Sequence, residues 1–451
     1  MKDLTKNNLY KTFIIFAVPM VLAGLLNQAY NTVDTIIAGK FLGADGLAAM
    51  GASSAFIQLI SAVFWGFGIG FSIYLARLFG ASEYKKIKAS IYSNCLAMLA
   101  MSAVVIILVL CFHERIFDIL NVDHSIRGDA YRYFAVYIGG IFVIVSNLIG
   151  TCIMNAFGIS TFPFCISVMS AIMNIVGNIF AIAVLKKGVI GLAVVTVAVS
   201  GIALVCYIVK IYICFKKMGV LNQRVKPGFS YIKDAFASST AVMVQQIVMC
   251  LSSACISPFV NGIGSAATAA YTVILKIYDL NASMYQNSSK VLSNYAAQCM
   301  GAREYKNVAK AVRTALLQGI VFVAPTLIIC IFYAPSVAAL FFPKGDMGTA
   351  FNYVVDFCRM CLPFILLNLI NNLFHAFFRG VSALKFLVVC TAFGSFVRMA
   401  VSILTIMKFG IYGMFIGWIV SWLAEGIMEY VMYRSKKWQP HEMKEWLDAQ
   451  H

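Results

Sequence analysis

The sequence predicts an all-α integral membrane protein with twelve transmembrane helices in two parallel six-helix repeats. Three observations carry that prediction: a composition unlike that of soluble domains, twelve apolar runs of bilayer length, and one dominant internal offset. Of 451 residues, 61% are hydrophobic and 12% charged, and the mean hydropathy is +0.86. A helix needs about 20 apolar residues to cross the roughly 30 Å hydrocarbon core.

The elements follow in order. The N-terminal segment MKDLTKNNLYK is polar and basic, and no small-residue cleavage site follows a short apolar core. The first span is therefore expected to be retained rather than removed as a signal peptide. Spans are expected near 13–37, 47–76, 91–112, 133–157, 162–185 and 189–215, and again near 235–260, 266–296, 311–333, 353–378, 386–407 and 411–433. This divides the chain into an N-terminal bundle (1–217), a basic cytoplasmic linker (218–234), a C-terminal bundle (235–433) and a cytoplasmic tail (434–451).

With 35 Lys and Arg against 18 Asp and Glu, the net charge is +17, which raises the question of nucleic acid. The placement of the charges answers against it. Most of the basic residues fall in the two tails and the even-numbered connections, the distribution expected when both termini are cytoplasmic. The largest block runs from Lys210 to Lys233. The expected partners are membrane lipids and a small-molecule substrate, the expected location is the cell membrane, and a monomer is expected.

The 13 cysteines lie within or beside apolar spans, so no disulfide framework is expected. Cys358 and Cys361 form a CxxC but lack the second pair that a zinc site of that type uses, and no metal ligands are assigned.

Slid against itself at one fixed offset, the chain lays Gly80-Ala-Ser-Glu-Tyr-Lys-Lys86 on Gly301-Ala-Arg-Glu-Tyr-Lys-Asn307. At the same offset Leu42–Ala49 falls on Ile263–Ala270, and Asn147-Leu-Ile149 falls on Asn368-Leu-Ile370. One position later in register, Gly188-Val-Ile-Gly191 meets Gly410-Ile-Tyr-Gly413. An even number of helices per half gives parallel repeats, an arrangement suited to alternating access around a central cleft. No HExxH, GxSxG, DDxxD or Walker-type GxxxxGK[ST] is present. An enzyme is therefore not expected, and transport must draw on an ion gradient or on the substrate's own gradient.

Several residues together resemble the multidrug and toxic compound extrusion (MATE) family of the multidrug/oligosaccharidyl-lipid/polysaccharide exporter superfamily. They are Pro19…Asn31-x-x-Asp34…Gly39…Leu42-Gly43…Leu47-Ala48-Ala49…Gly51, the repeated Gly-Ala-x-Glu-Tyr-Lys, and Asn174-x-x-x-Asn178. The resemblance covers nearly the whole chain. It implies an antiporter that exchanges an outgoing organic solute for protons or Na+, with no other cofactor. In the DinF-like branch it further implies a cation site at Asp34, Asn174 and Asn178, with Tyr30 and Thr196 in the same lobe. Asn178 departs from the usual aspartate, which leaves Asp34 the only carboxylate of that set. In the NorM branch, acidic residues of the seventh and tenth spans form a second site. Here Gln245 and Asn368 stand in that region.

Read on their own, Asn27, Asn31 and Asp34 share one face of the first span, bordered by Tyr30. An aspartate at bilayer depth costs about 2.5–3.5 kcal/mol on insertion scales. Asp34 can take up a proton or a cation, or it can snorkel or cap a neighbouring helix. Asn174 and Asn178 lie one turn apart and suit either a cation site or interhelical hydrogen bonding. Pro19, inside the first span, is a candidate hinge.

The eighth span carries a polar stripe of Lys276, Asp279, Ser283, Gln286 or Asn287, Lys290 and Asn294, which is expected to line the cleft. Lys276 and Asp279 are spaced to pair, while Lys290 shows no obvious local partner. Asn368, Asn372, His375 and Arg398 are further cavity candidates, although a lone His375 also suits a packing role. The function expected is a secondary antiporter working between two six-helix lobes. A flippase or exporter of lipid-linked or anionic solutes is the alternative, since Lys276, Lys290 and Arg398 are cationic. A receptor or channel is the third reading, but no rings of like residues favour it.

Overall fold

The computed structural model describes residues 9–119, 127–342, 348–440 and 443–445, apart from the side chains of 31, 32, 34–36, 38–40, 42–56, 59, 119, 129 and 309. Every regular element among the described residues is helical. That is the solution open to a chain in hydrocarbon, where each backbone N–H and C=O must find its partner internally. The helices are α1 (Leu9–Gly80), α2 (Tyr84–Ile119), α3 (Arg127–Gly139), α4 (Ile141–Ala156), α5 (Thr161–Ile179), α6 (Gly188–Lys217) and α7 (Phe229–Asn261). They continue with α8 (Ser265–Ala302), α9 (Tyr305–Phe332), α10 (Ala334–Ala339), α11 (Thr349–Asp356), α12 (Ile365–Gly380), α13 (Leu384–Phe409) and α14 (Ile411–Arg434).

Among the described residues, ten helical stretches are long and apolar enough to cross a membrane, including both ends of α1, Leu9–Tyr30 and Ile60–Gly80. The pair α3 and α4, bent by 52°, makes an eleventh. The twelfth is α8, whose 38 residues are too polar to be recognised by hydropathy alone.

One connection differs from expectation. The sequence reading places a break at 38–46, whereas the backbone is helical through the whole of Leu9–Gly80. Gly39, Gly43 and Gly46 each cost a helix only about 1 kcal/mol, and the residue type that does stop one, proline, occurs in α1 at Pro19 alone. Pro19 is half-buried. It lies just before the point, between Val21 and Leu22, where α1 leaves one compact unit and enters the other. The first unit runs Leu22–Ser239, and the second joins the segment ending at Val21 to Thr240 and the residues beyond.

The repeat is visible as identical backbone punctuation. After α1, the N–H of Glu83 bonds to the Leu78 carbonyl and that of Ser82 to Phe79. After α8, Glu304 bonds to Cys299 and Arg303 to Met300. These are the same six-to-one closures of a helix end, recurring at the offset that relates the two halves. Ser82 and Arg303 both take the left-handed conformation the closure demands, with φ of 59° and 61°. Gly188 and Gly410, the last sequence anchors, both stand at φ +57°, where a side chain would be strained.

In the first unit, Ser239 Oγ donates to the Phe67 carbonyl at 3.1 Å, and the Phe67 ring lies 4.9 Å from that of Phe236. Tyr207 of α6 is buried against α4, its hydroxyl 2.8 Å from Thr151 Oγ1. Gly150 makes that approach possible, since a Cβ there would meet the Tyr207 ring at 2.5 Å. Lys88 is buried, and its Nζ donates to the carbonyls of Val220, Leu221 and Gln223 at 3.1, 2.7 and 2.8 Å, tying down the segment after α6.

In the second unit, Phe13 packs edge-on to Tyr295 at 5.2 Å, and Gln318 Nε2 donates to the Phe13 carbonyl. Between α11 and α12 a π turn, Phe357–Cys361, and a 3-10 turn containing Pro363 interrupt the helix. An aromatic layer of Phe357, Phe415, Trp418, Tyr278 and Trp422 surrounds that break.

Candidate functional site

In the first unit, the side chains of Asp34 and Asn31 lie outside the described residues, but their neighbours are placed. Val33 and Ile37 pack with Ile175 of α5, Ile182 just beyond it, Leu192 of α6 and Tyr133 of α3. Asn178 lies between Ile175 and Ile182, both of which belong to this cluster. Asn178 is wholly buried, and Asn174 is 5% exposed, its Nδ2 donating to the Ser170 carbonyl at 3.0 Å. Residues flanking Asn178 in sequence therefore share one cluster with residues flanking Asp34. Thr196 Oγ1 donates back to Leu192 O in its own helix. Tyr30 is half-buried, while Asn27 is exposed.

Along α8 the polar stripe is continuous but its environment is not. Lys276 and Asp279 are exposed, Gln286, Asn287 and Lys290 are half-buried, and Ser283 and Asn294 are buried. Lys290 has the local partner that spacing did not disclose, since its Nζ donates to Asn287 Oδ1 at 2.9 Å. Arg398 of α13 is also engaged, donating to Ser252 Oγ at 3.1 Å, Ser253 Oγ at 2.8 Å and the Met249 carbonyl at 3.3 Å, all on α7. Asn368 Nδ2 donates to the Tyr278 hydroxyl at 2.8 Å, and Asn372 donates to Asn368 Oδ1 at 3.0 Å.

The densest arrangement forms around His375, and neither of its carboxylates is among the residues expected from the sequence. Glu425 and Glu429, one turn apart on α14, bring Oε1 atoms to 3.1 and 3.0 Å from His375 Nε2. Thr391 Oγ1 of α13 lies 3.2 Å from the same nitrogen. Asn371 Nδ2 reaches Glu425 Oε2 at 3.4 Å and the Trp422 carbonyl at 2.9 Å. Gln245 Nε2 donates to Thr391 Oγ1 at 3.3 Å and accepts at Oε1 from Arg379 Nη1, also at 3.3 Å. Exposure of Glu429 is 0%, of His375 4% and of Glu425 9%.

Two glycines create the space. A Cβ on Gly394 would stand 2.5 Å from the Glu425 carboxyl, and one on Gly426 would stand 2.8 Å from Asn371 Oδ1. The sequence signal for this cluster was available: two glutamates at i, i+4 inside an otherwise apolar span share one face, and intramembrane acids are expensive enough to need a reason.

A helical chain with multiple membrane spans, two compact units and ionisable groups buried among its spans belongs to the class of polytopic membrane transporters. The family model described as MatE matches residues 19–180 and 241–404, and the chain belongs to that family; it is a transporter rather than an enzyme. The probable multidrug resistance protein YoeA of Bacillus subtilis is 21% identical over 353 residues, spanning 76% of this chain and 75% of that protein. The multidrug export protein MepA of Staphylococcus saprophyticus is 24% identical over 283 residues, 60% of each chain. A crystal structure of MATE in complex with MaL6 superimposes with a TM-score of 0.89 at 20% identity, covering 96% of this chain and 97% of that one. At that identity the likeness is one of fold.

Proposed function

We propose that this protein exports organic, drug-like solutes across the cell membrane in exchange for protons or Na+, by alternating access, with both termini cytoplasmic. Its coupling site belongs to the DinF-like pattern: Asp34 as the carboxylate, with Asn174, Asn178, Tyr30 and Thr196 around it. The observation that carries this reading is the wholly buried Asn178, which lies between Ile175 and Ile182, members of the cluster that holds Val33 and Ile37 on either side of Asp34. A carboxylate opposite buried amides in a membrane helix can hold a cation whose occupancy changes during transport. The multidrug names carried by YoeA and MepA support the solute class.

The alternative, export of anionic or lipid-linked solutes, rests on Lys276, Lys290 and Arg398. Two of these cations have hydrogen-bond partners within the second unit, which weakens it. Purified protein in proteoliposomes, with imposed proton or Na+ gradients and a panel of cationic and anionic dyes, separates the readings. Asp34→Asn keeps size and hydrogen bonding but cannot change charge. It should leave a folded protein without gradient-driven efflux, and Asp34→Glu should retain part of it. Wild-type efflux by Asp34→Asn refutes the assignment.

A further inference from the structure

We propose that His375, Glu425 and Glu429 form a binding site for a divalent cation of the zinc class, joining α12 to α14 in the second unit. The proposal is independent of the coupling assignment, which rests on α1 and α5.

Convergence comes first. One ligand atom from each residue falls within a sphere where all lie within 4.8 Å of one another, and among the described residues this is the one such group of three His, Cys, Asp or Glu. The two nitrogen-to-oxygen separations, 3.1 and 3.0 Å, are close to the edge of a tetrahedron around zinc. Bonds of about 2.0–2.2 Å to N and O give an edge of roughly 3.3–3.6 Å. Closing on a metal requires each of these two nitrogen-to-oxygen separations to open by only a few tenths of an ångström.

Hydrogen bonding leaves part of the arrangement unsatisfied. Nε2 faces three oxygens, from Glu425, Glu429 and Thr391, yet a ring nitrogen carries at most one proton. Glu429 is wholly buried, and neither of its carboxylate oxygens has a donor aligned for a hydrogen bond. A buried carboxylate without donors is costly unless a cation neutralises it. With a neutral imidazole, two carboxylates supply a charge that one divalent ion cancels and a monovalent ion does not.

Ligand chemistry narrows the ion. Imidazole nitrogen with two carboxylate oxygens suits zinc, cobalt or iron in the divalent state better than magnesium. Calcium wants six to eight oxygens, more than this cluster brings together. The surrounding contacts are of the kind that orient metal ligands. Asn371 Nδ2 reaches Glu425 Oε2, and Gln245 holds Thr391 beside the imidazole.

The test uses full-length, tag-free protein in detergent, stripped with a chelator, dialysed, and titrated with Co2+ and Zn2+. The expected result is one equivalent retained per chain after gel filtration, visible d–d absorption with Co2+, and a metal-dependent rise in melting temperature. Glu429→Gln and His375→Gln should each weaken metal binding by at least about tenfold, the lower end of what disturbing even an outer-shell partner costs. Glu429→Gln should also raise the melting temperature of the stripped protein, because it removes a buried charge. A destabilised variant would not obscure the answer, since the wild-type titration decides by itself. No retained metal in the wild type overturns the proposal. So does equal retention by both variants, or a melting temperature that follows pH and ignores metal, which would mean the cluster shares a proton instead.

Discussion

Gly394→Ala is the sharpest probe of how the His375 cluster is built. The new methyl would lie 2.5 Å from both Cδ and Oε2 of Glu425 and 2.9 Å from its Cβ. None of these is the loose end of a long side chain, because Glu425 is 9% exposed and held by His375 and Asn371. The carboxylate must move, and it then loses the 3.1 Å contact to Nε2 and the 3.4 Å contact from Asn371. Overpacking costs about 1–3 kcal/mol, and hydrogen bonds to a charged group are worth about 1.5–3 kcal/mol. A loss of roughly 2.5–6 kcal/mol follows, offset by the gain of about 0.5–1 kcal/mol from replacing glycine in a helix. Gly128→Ala is the control, for a Cβ there meets nothing within 4 Å. Thermal melting of both variants in the same detergent should show Gly394→Ala well below wild type and Gly128→Ala at or above it. Coincident melting of the two would refute the account of the cluster's packing.

Two further outcomes are expected from features outside the cluster. Lys88→Met removes the ammonium that holds the carbonyls of Val220, Leu221 and Gln223. Stability should fall by about 2 kcal/mol, and limited trypsinolysis after Arg224 should accelerate. Arg303→Gly relieves a left-handed φ of 61° without disturbing the backbone closure after α8. It should raise the melting temperature, by a stabilisation of up to about 1 kcal/mol.

The spans and the repeat were legible because both leave strong, redundant marks. Long apolar runs survive averaging over a window, and a helix end with a fixed hydrogen-bond pattern imposes the same short motif wherever it recurs. The continuity of α1 was not legible. The glycines near 38–46 look like a turn, yet no proline enforces one. The α8 stripe reads as uniformly wet, but Ser283 and Asn294 are buried while Lys276 is exposed, because exposure depends on which helices pack alongside. The cluster shows the sharpest limit. His375 is visible beside Asn368 and Asn372 as a cavity candidate, but its carboxylate partners sit two helices further along the chain, in a span whose average hydropathy hides two glutamates. Only the close approach of α13 to α14 at Gly394, and of α14 to α12 at Gly426, brings the three together.

The repeat also offers a comparison inside the molecule. The register that lays Gly301 on Gly80 lays His375 on Met154, and the register that lays Gly410 on Gly188 lays Glu425 and Glu429 on Ala203 and Tyr207. Met154, Ala203 and Tyr207 are all buried. If the halves descend from a duplicated six-helix ancestor, the same interior position has been filled twice, once with hydrocarbon and an aromatic ring and once with ions. The hydrocarbon copy demonstrates that helices of this pattern assemble without a charge at their centre. The ionic copy is therefore not required by the fold itself, which leaves its charges available for a role in binding.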